Sequence, residues 1–285
     1  EYHQFFGGAP KTTFTIAADD ISGFSIAVDA PTNFNLYRSM RLFFANGGST
    51  CYIVSVGDYS NAVSAKDLND EAEEKGIVTL LKTPEPTMLV IPDAVLLEEN
   101  DCASLQQAML MHCGSAMKSR VAILDVYNGD QERSYDENDV ITKSREGLGN
   151  NFLQWGASYY PYVNTTIIQS DEVDFSNISN LDALTPLLDA EADAIYGDDA
   201  QIVKDEIAKL TGENDPVSLN QTLVAKLPLF KAVLDDVKNA LNVLPPSGGM
   251  AGVISMVDTN VGVFQSPANV SMGSVVSPTV NLTSK

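Results

Sequence analysis

Two short apolar runs separated by a helix-length spacer decide most of what this chain can fold into. Thr87-Met-Leu-Val-Ile91 is continuously apolar, the mark of a strand buried on both faces. Arg120-Val-Ala-Ile-Leu-Asp-Val126 is a second run of the same kind. Between them, Cys102 to Met117 carries Leu105, Met109 and Cys113 at four-residue steps, with Ala108 and His112 alongside. Strand, helix and strand in succession predict parallel pairing through a right-handed crossover. Residues 140–156 predict another helix, with Gly147 and Gly149 inside it, and residues 159–168 a third strand. The order β-α-β-α-β predicts an α/β fold: a layered domain with a mainly parallel or mixed sheet flanked by helices.

The remaining stretches attach to that frame. Residues 1–34 read as a β-rich N-terminal segment, with Phe14–Ile16 and Phe24–Val28 alternating around turn signals at Asp19-Asp20 and Ser22-Gly23. Leu36, Met40 and Phe43/Phe44 fall at helical spacing, and Asn46-Gly47-Gly48 ends that helix. Cys51-Tyr-Ile-Val-Ser-Val56 follows and is expected to be a buried core strand. Residues 58–76 read as an acidic surface loop and the start of a short helix. The α/β core is expected over 35–270, with an acidic helical part at 171–241. Within that part, Ser179 or Asp182 is a candidate cap for a first turn, and Thr185-Pro186 is the stronger helix start. Leu219, Leu223, Leu227, Phe230, Leu234, Val237 and Leu241 define one long apolar face, with a kink or a restart expected at Pro228. Pro245-Pro246 ends it, Ser247-Gly248-Gly249 allows close backbone approach, and residues 271–285 form a tail without a visible partner.

Composition excludes several function classes. The chain has 285 residues, of which 44% are hydrophobic, enough for one large or two smaller cores. No run approaches the roughly 18 consecutive apolar residues of a membrane span, and EYHQFFGGAP lacks the features of a signal peptide. It begins as if cut from something longer. A net charge of −21, from 38 acids against 17 bases, repels nucleic acid and anionic lipid and favours basic partners. Cys51, Cys102 and Cys113 form neither a metal spacing nor an even disulfide set, so they are expected to be reduced, in an intracellular chain. In such a chain the Asn-x-Ser/Thr triplets at Asn164, Asn177, Asn220, Asn269 and Asn281 carry no meaning.

Candidate chemistry is thin. His112-Cys113 suggests a nucleophile, but helical neighbours point about 100° apart, and His3, the other histidine, lies near the chain's end. Asp189-x-Glu191-x-Asp193 imitates the start of a calcium loop, yet Ala194 stands where glycine is required and Ala200 where the bidentate acid belongs. Ser247-Gly248-Gly249 resembles part of a phosphate loop without its lysine. Asp93 and Asp125 close parallel-type strands, where α/β enzymes place acids. No base, nucleophile or ligand set accompanies them. The expectation is therefore no catalytic, cofactor-binding or metal-binding residue, no cofactor and no enzyme activity.

Four blocks carry a family resemblance. They are Leu42-Phe-Phe-Ala-Asn-Gly-Gly with Cys51-Tyr-Ile-Val-Ser-Val-Gly57; Pro86-Thr-Met-Leu-Val-Ile-Pro-Asp-Ala-Val95; Arg120-Val-Ala-Ile-Leu-Asp-Val126 with Ala157-Ser-Tyr-Tyr-Pro-Tyr162; and Pro245-Pro-Ser-Gly-Gly-Met-Ala-Gly252 with Asp258 and Val263-Phe-Gln-Ser-Pro-Ala-Asn269. In this order the chain resembles a contractile tail sheath subunit of phages and phage-derived contractile injection systems. The first two blocks look closer to sheaths of extracellular injection particles. Departures are the missing Arg before Asp258 and Phe264 where the family usually carries Trp. The family's tube-facing domain and its strand-exchanging terminal arms are also missing, so the chain reads as a sheath core fragment, monomeric in solution. The resemblance implies a structural protein that surrounds an inner tube and contracts by rearranging its subunits, driving the tube through a target membrane without nucleotide. It implies partners in other copies of the chain, in the inner tube through regions absent here, and in baseplate and cap proteins, with no nucleic acid and no membrane insertion. It also implies assembly in a bacterial cytoplasm, as part of a phage tail or of a tail-like particle released outside the cell. The alternatives are an α/β metabolic enzyme or ligand-binding domain, marked by a deep polar-lined pocket after Ile91 and Val126, or another structural tail component.

Overall fold

A computed structural model describes residues 2–19, 21–212 and 216–282. In chain order the elements begin with α1 (Tyr2–Phe6), β1 (Phe14–Asp19), β2 (Gly23–Val28) and α2 (Leu36–Ala45). Then come α3 (Ala65–Leu68), β3 (Asn69–Asp70), β4 (Lys75–Gly76), β5 (Met88–Val90), α4 (Glu99–Met111) and β6 (Val121–Asp125). The middle of the chain adds α5 (Val140–Leu148), β7 (Gly156–Tyr159), β8 (Val163–Thr165), α6 (Leu181–Tyr196) and α7 (Ala200–Ile207). The last elements are α8 (Pro216–Lys226), α9 (Pro228–Leu241), β9 (Val243–Leu244), α10 (Ser247–Asn260) and β10 (Val275–Pro278). Asp20 and the last three residues of the tail lie outside the described residues.

The chain divides into two compact units. One comprises residues 1–9, 34–167 and 243–285, the other residues 10–33 and 168–242. The first is the α/β unit. Its parallel sheet runs β5-β6-β7, with Met88 beside Val121 and Ile123 beside Ala157. Helix α4 crosses from β5 to β6 and buries Cys102, Leu105, Met109 and Leu110 against Leu89, Ala122 and Leu124. The helix widens into a π-turn over His112–Met117, and Lys118, at φ +56°, brings the chain into β6.

A second, antiparallel sheet runs β10-β8-β9. The expected third strand is thus two strands: β7 completes the parallel sheet, and the chain turns at Pro161 before β8 joins the other one. The tail does have a partner, because Val275 lies beside Thr165 and Pro278 beside Val163.

In the second unit β1 and β2 form an antiparallel hairpin in register from Phe14–Val28 to Asp19–Gly23. The free edge of β1 is closed by Asn180, whose side chain accepts from the Ile16 N–H and donates to the Ile16 carbonyl, both at 2.8 Å. That use of Asn180 moves the start of α6. The helix begins at Leu181, and Pro186 sits inside it rather than at its first position, as Thr185-Pro186 had suggested. At Pro228 the structure takes the restart. Leu227 is extended (φ −125°, ψ 101°), and α9 begins on the proline. Leu219, Leu223, Leu227, Phe230, Val233 and Val237 are buried along the two helices.

The largest departure from expectation lies at residues 50–56. Gly47 ends α2 in the left-handed region at φ +88°, as the Asn-Gly-Gly signal requires. The next segment is extended, but it joins no sheet, and Cys51 and Tyr52 are exposed. The expected buried strand is not formed, although its β-branched sequence is present.

Candidate functional site

The carboxyl ends of β5 and β6 are where an α/β enzyme would keep its acids. Both acids are there; Asp125 is buried and Asp93 is half-buried. Asp125, at the last position of β6, accepts from the Ser247 N–H at 2.8 Å and from the Ser247 hydroxyl through a short contact. Ser247 is the first residue of α10, so Asp125 supplies that helix with the N-terminal acceptor its own sequence lacks. Burial pushes the Asp125 carboxyl up to about 7, against the two bonds from Ser247.

Asp93 does the same for α2. It follows β5 and Pro92, and its Oδ1 accepts from the Asn35 N–H at 2.5 Å at the start of that helix. Asn35 in turn donates to the Pro92 carbonyl at 3.1 Å. The buried Arg38 guanidinium donates to the Phe34 carbonyl and to Asn35 Oδ1, both at 3.1 Å. Burial raises Asp93 to about 6, opposed by its hydrogen bonds and by Arg38 nearby, while burial lowers Arg38 to about 10.

The two helices so anchored pack directly on each other. A Cβ added to Gly252 would lie 2.4 Å from the Phe43 carbonyl oxygen, and one added to Gly248 would lie 2.8 Å from that of Ser39. The Ser-Gly-Gly-Met-Ala-Gly run is therefore a helix-packing face, with α10 touching α2, β5 and β6. Sequence reading singled out the acids and the small residues without joining them. Their partners lie 58 and 122 residues away, and no local spacing encodes that.

The other candidates also resolve into structure. Cys113 is buried and its thiol is pushed up to about 11 by burial, the wrong direction for a nucleophile. His112 Nε2 lies 2.9 Å from an Arg120 nitrogen, and because guanidinium only donates, that ring nitrogen accepts. Burial and Arg120 both lower the His112 pKa. Arg120 also donates to the Pro86 carbonyl at 2.9 Å and to the Thr83 carbonyl. In the calcium-like stretch, Glu191 accepts from the Leu229 N–H at 2.9 Å at the start of α9, and Asp193 pairs with Lys204 at 2.7 Å. Among the described residues no group of three or more His, Cys, Asp or Glu is arranged to hold a metal.

One cavity of about 530 Å³ runs along the outer edge of β5. Leu36, Met40 and Phe43 of α2 form one wall, Ile77 and Leu80 another, and residues 50–56 flank it. It reaches Asp93 and Ser39, whose hydroxyl is buried without a hydrogen-bond partner. It touches the end of β5 at residues 91–93 and is also lined by Gly248 and Ala251 of α10, but no residue of the loop after Val126 lines it, so it is not a cleft shared by the two strand ends. Sequence reading missed it, because it exists where residues 50–56 were expected to be a strand. Among the described residues no helix is long and apolar enough to cross a membrane. Neither a scan against protein-family models nor a search of the curated proteins finds a match to this chain.

Proposed function

We propose that this chain is a structural subunit of a contractile tail-like sheath, with a mechanical rather than a catalytic role. One observation carries the reading. Parts of all four blocks of the resemblance, far apart in sequence, meet in a single packed unit. The first contributes the end of α2, the second β5 with Asp93, the third β6 and β7, and the fourth α10, while residues 51–57 of the first join no sheet and residues 263–269 of the fourth are largely exposed. Asp93 ties the second block to the start of α2, whose end carries the first block; Asp125 ties the third to the fourth, and the glycine face joins the fourth to the first. Acids at catalytic addresses are spent on holding helices to a sheet. A close-packed body of this kind passes force on without deforming, which suits a subunit that changes neighbours rather than shape.

On this reading the partners are further copies of the chain around an inner tube, with baseplate and cap proteins at the ends. The particle is a phage tail or an injection system assembled in a bacterial cytoplasm. The cavity along β5 is the one observation favouring a ligand-binding domain instead. Electron microscopy of the natural full-length protein, expressed alone, tests the proposal. Hollow tubes or stacked rings are expected. Particles that stay single at every concentration, together with saturable binding of a small molecule in the cavity, would replace it with the second reading.

A further inference from the structure

We infer that residues 50–56 are a latent fourth strand, which docks on the outer edge of β5 and fills the cavity there. The inference is independent of the sheath reading. It begins from an open edge. The Val121 N–H donates to the Thr87 carbonyl at 2.9 Å, so Thr87 and Leu89 turn their backbone groups toward β6. Alternation then turns the N–H and C=O of Met88 and Val90 outward. Strand β5 is the edge of its sheet, and no backbone hydrogen bond joins it to residues 50–56 among the described residues. A bare apolar edge is unstable by nature: its polar groups want partners and its side chains want cover.

The segment beside it has the complementary properties. Thr50-Cys-Tyr-Ile-Val-Ser-Val56 is β-branched and aromatic, with neither proline nor charge. It already flanks the same cavity, with Ile53, Val54 and Val56 half-buried. Seven extended residues reach about 23 Å, and the five residues Thr87–Ile91 span about 17 Å, so the segment covers the whole edge. Gly47 and Gly48 precede it and Gly57 follows, and these residues can absorb the change in backbone angles that docking requires. Docking pairs the outward groups of Met88 and Val90. It also brings the walls at Leu36, Met40, Phe43, Ile77 and Leu80 into contact with side chains instead of empty space.

Hydrogen exchange of the intact chain, read by mass spectrometry, is the test. Amides of residues 50–57 and of residues 86–91 are expected to exchange at least about tenfold more slowly than in an unstructured peptide. Val54→Pro, which removes a donor and breaks strand pairing, is expected to abolish protection in both peptides together and to leave α4 and β6 protected. If that variant does not fold, Ser55→Pro, at an exposed position, serves instead. Free exchange of residues 50–57 in the unaltered chain overturns the inference. So does protection of residues 86–91 that survives the proline. Protection that appears only as protein concentration rises also overturns it, because the edge would then be taken by a second copy.

Discussion

Asp125 shows how much one residue can decide. Its carboxyl is fully inside the fold, with one oxygen on the Ser247 N–H and the other on the Ser247 hydroxyl. The charge costs free energy there, and the two bonds are kept by a neutral amide oxygen and nitrogen. Asp125→Asn is therefore expected to fold normally, whereas Asp125→Ala leaves two buried groups unpaired and is expected to cost about 3 kcal/mol in urea unfolding. The pH dependence has a definite sign. The folded pKa, about 7, lies above the ordinary 3.8, so the folded state holds the proton longer than the unfolded one. Stability from this group falls as pH rises from about 4 to about 7, and is level above that. Asp93, raised to about 6, acts in the same direction over a narrower range. Asn lacks the proton, so the stability difference between Asp125→Asn and the unaltered chain should move in favour of Asn between pH 4.5 and pH 8, by roughly 2–4 kcal/mol. A difference independent of pH would show that the carboxyl is not neutralised by burial. The two acids were legible in the sequence as strand-end residues. Their task was not, because an acid that caps a distant helix has the same local sequence as one that awaits a substrate.

At the scale of elements, the seam between α2 and α10 is set by the absence of side chains. Gly252→Ala would put a methyl 2.4 Å from a carbonyl oxygen, so the helices must part and the bonds at Asp93 and Asp125 must stretch with them. A loss of about 1–3 kcal/mol is expected by thermal or denaturant unfolding. Gly8→Ala, with nothing within 4 Å, is expected to stay within about 0.5 kcal/mol of the unaltered chain. Equal effects would mean that the helices do not touch there. Periodicity made most helices legible. The apolar face through Leu219 and Leu241, and the break at Pro228, follow from side-chain size and the missing proline N–H. It failed where a side chain was claimed from elsewhere. Asn180 serves β1, and α6 begins at Leu181, four residues before the Thr-Pro signal. It failed again at residues 50–56, because strand propensity cannot say whether a neighbour is in place.

For the whole molecule the dominant quantity is charge. At −21 the chain repels itself, and several of the ion pairs, such as Lys82 with Glu74 and Lys231 with Asp235, are surface pairs of small individual worth, although Arg133 pairs with the buried Asp139. Screening should therefore relieve more repulsion than it removes attraction. Raising NaCl from 20 to 500 mM is expected to raise Tm by about 3 °C or more, in a calorimetric scan at pH 8. A falling Tm would mean that paired charges outweigh the excess acids. The α/β class could be read from two apolar runs and the helix between them. The division into two units could not, since it depends on residues 10–33 joining residues 168–242.

That joining has a consequence for how the protein is made. The hairpin of β1 and β2 leaves the ribosome well ahead of its seal, because the asparagine that closes its edge is encoded 164 residues later. At ordinary elongation speeds the gap is roughly 10–30 s. For that interval the nascent chain carries a naked, sticky ribbon while residues 34–167 emerge behind it. A trigger-factor-like holdase, or any chaperone reading exposed strand edges, would find its client there, and ribosomes slowed between codons 34 and 167 should raise the fraction that aggregates.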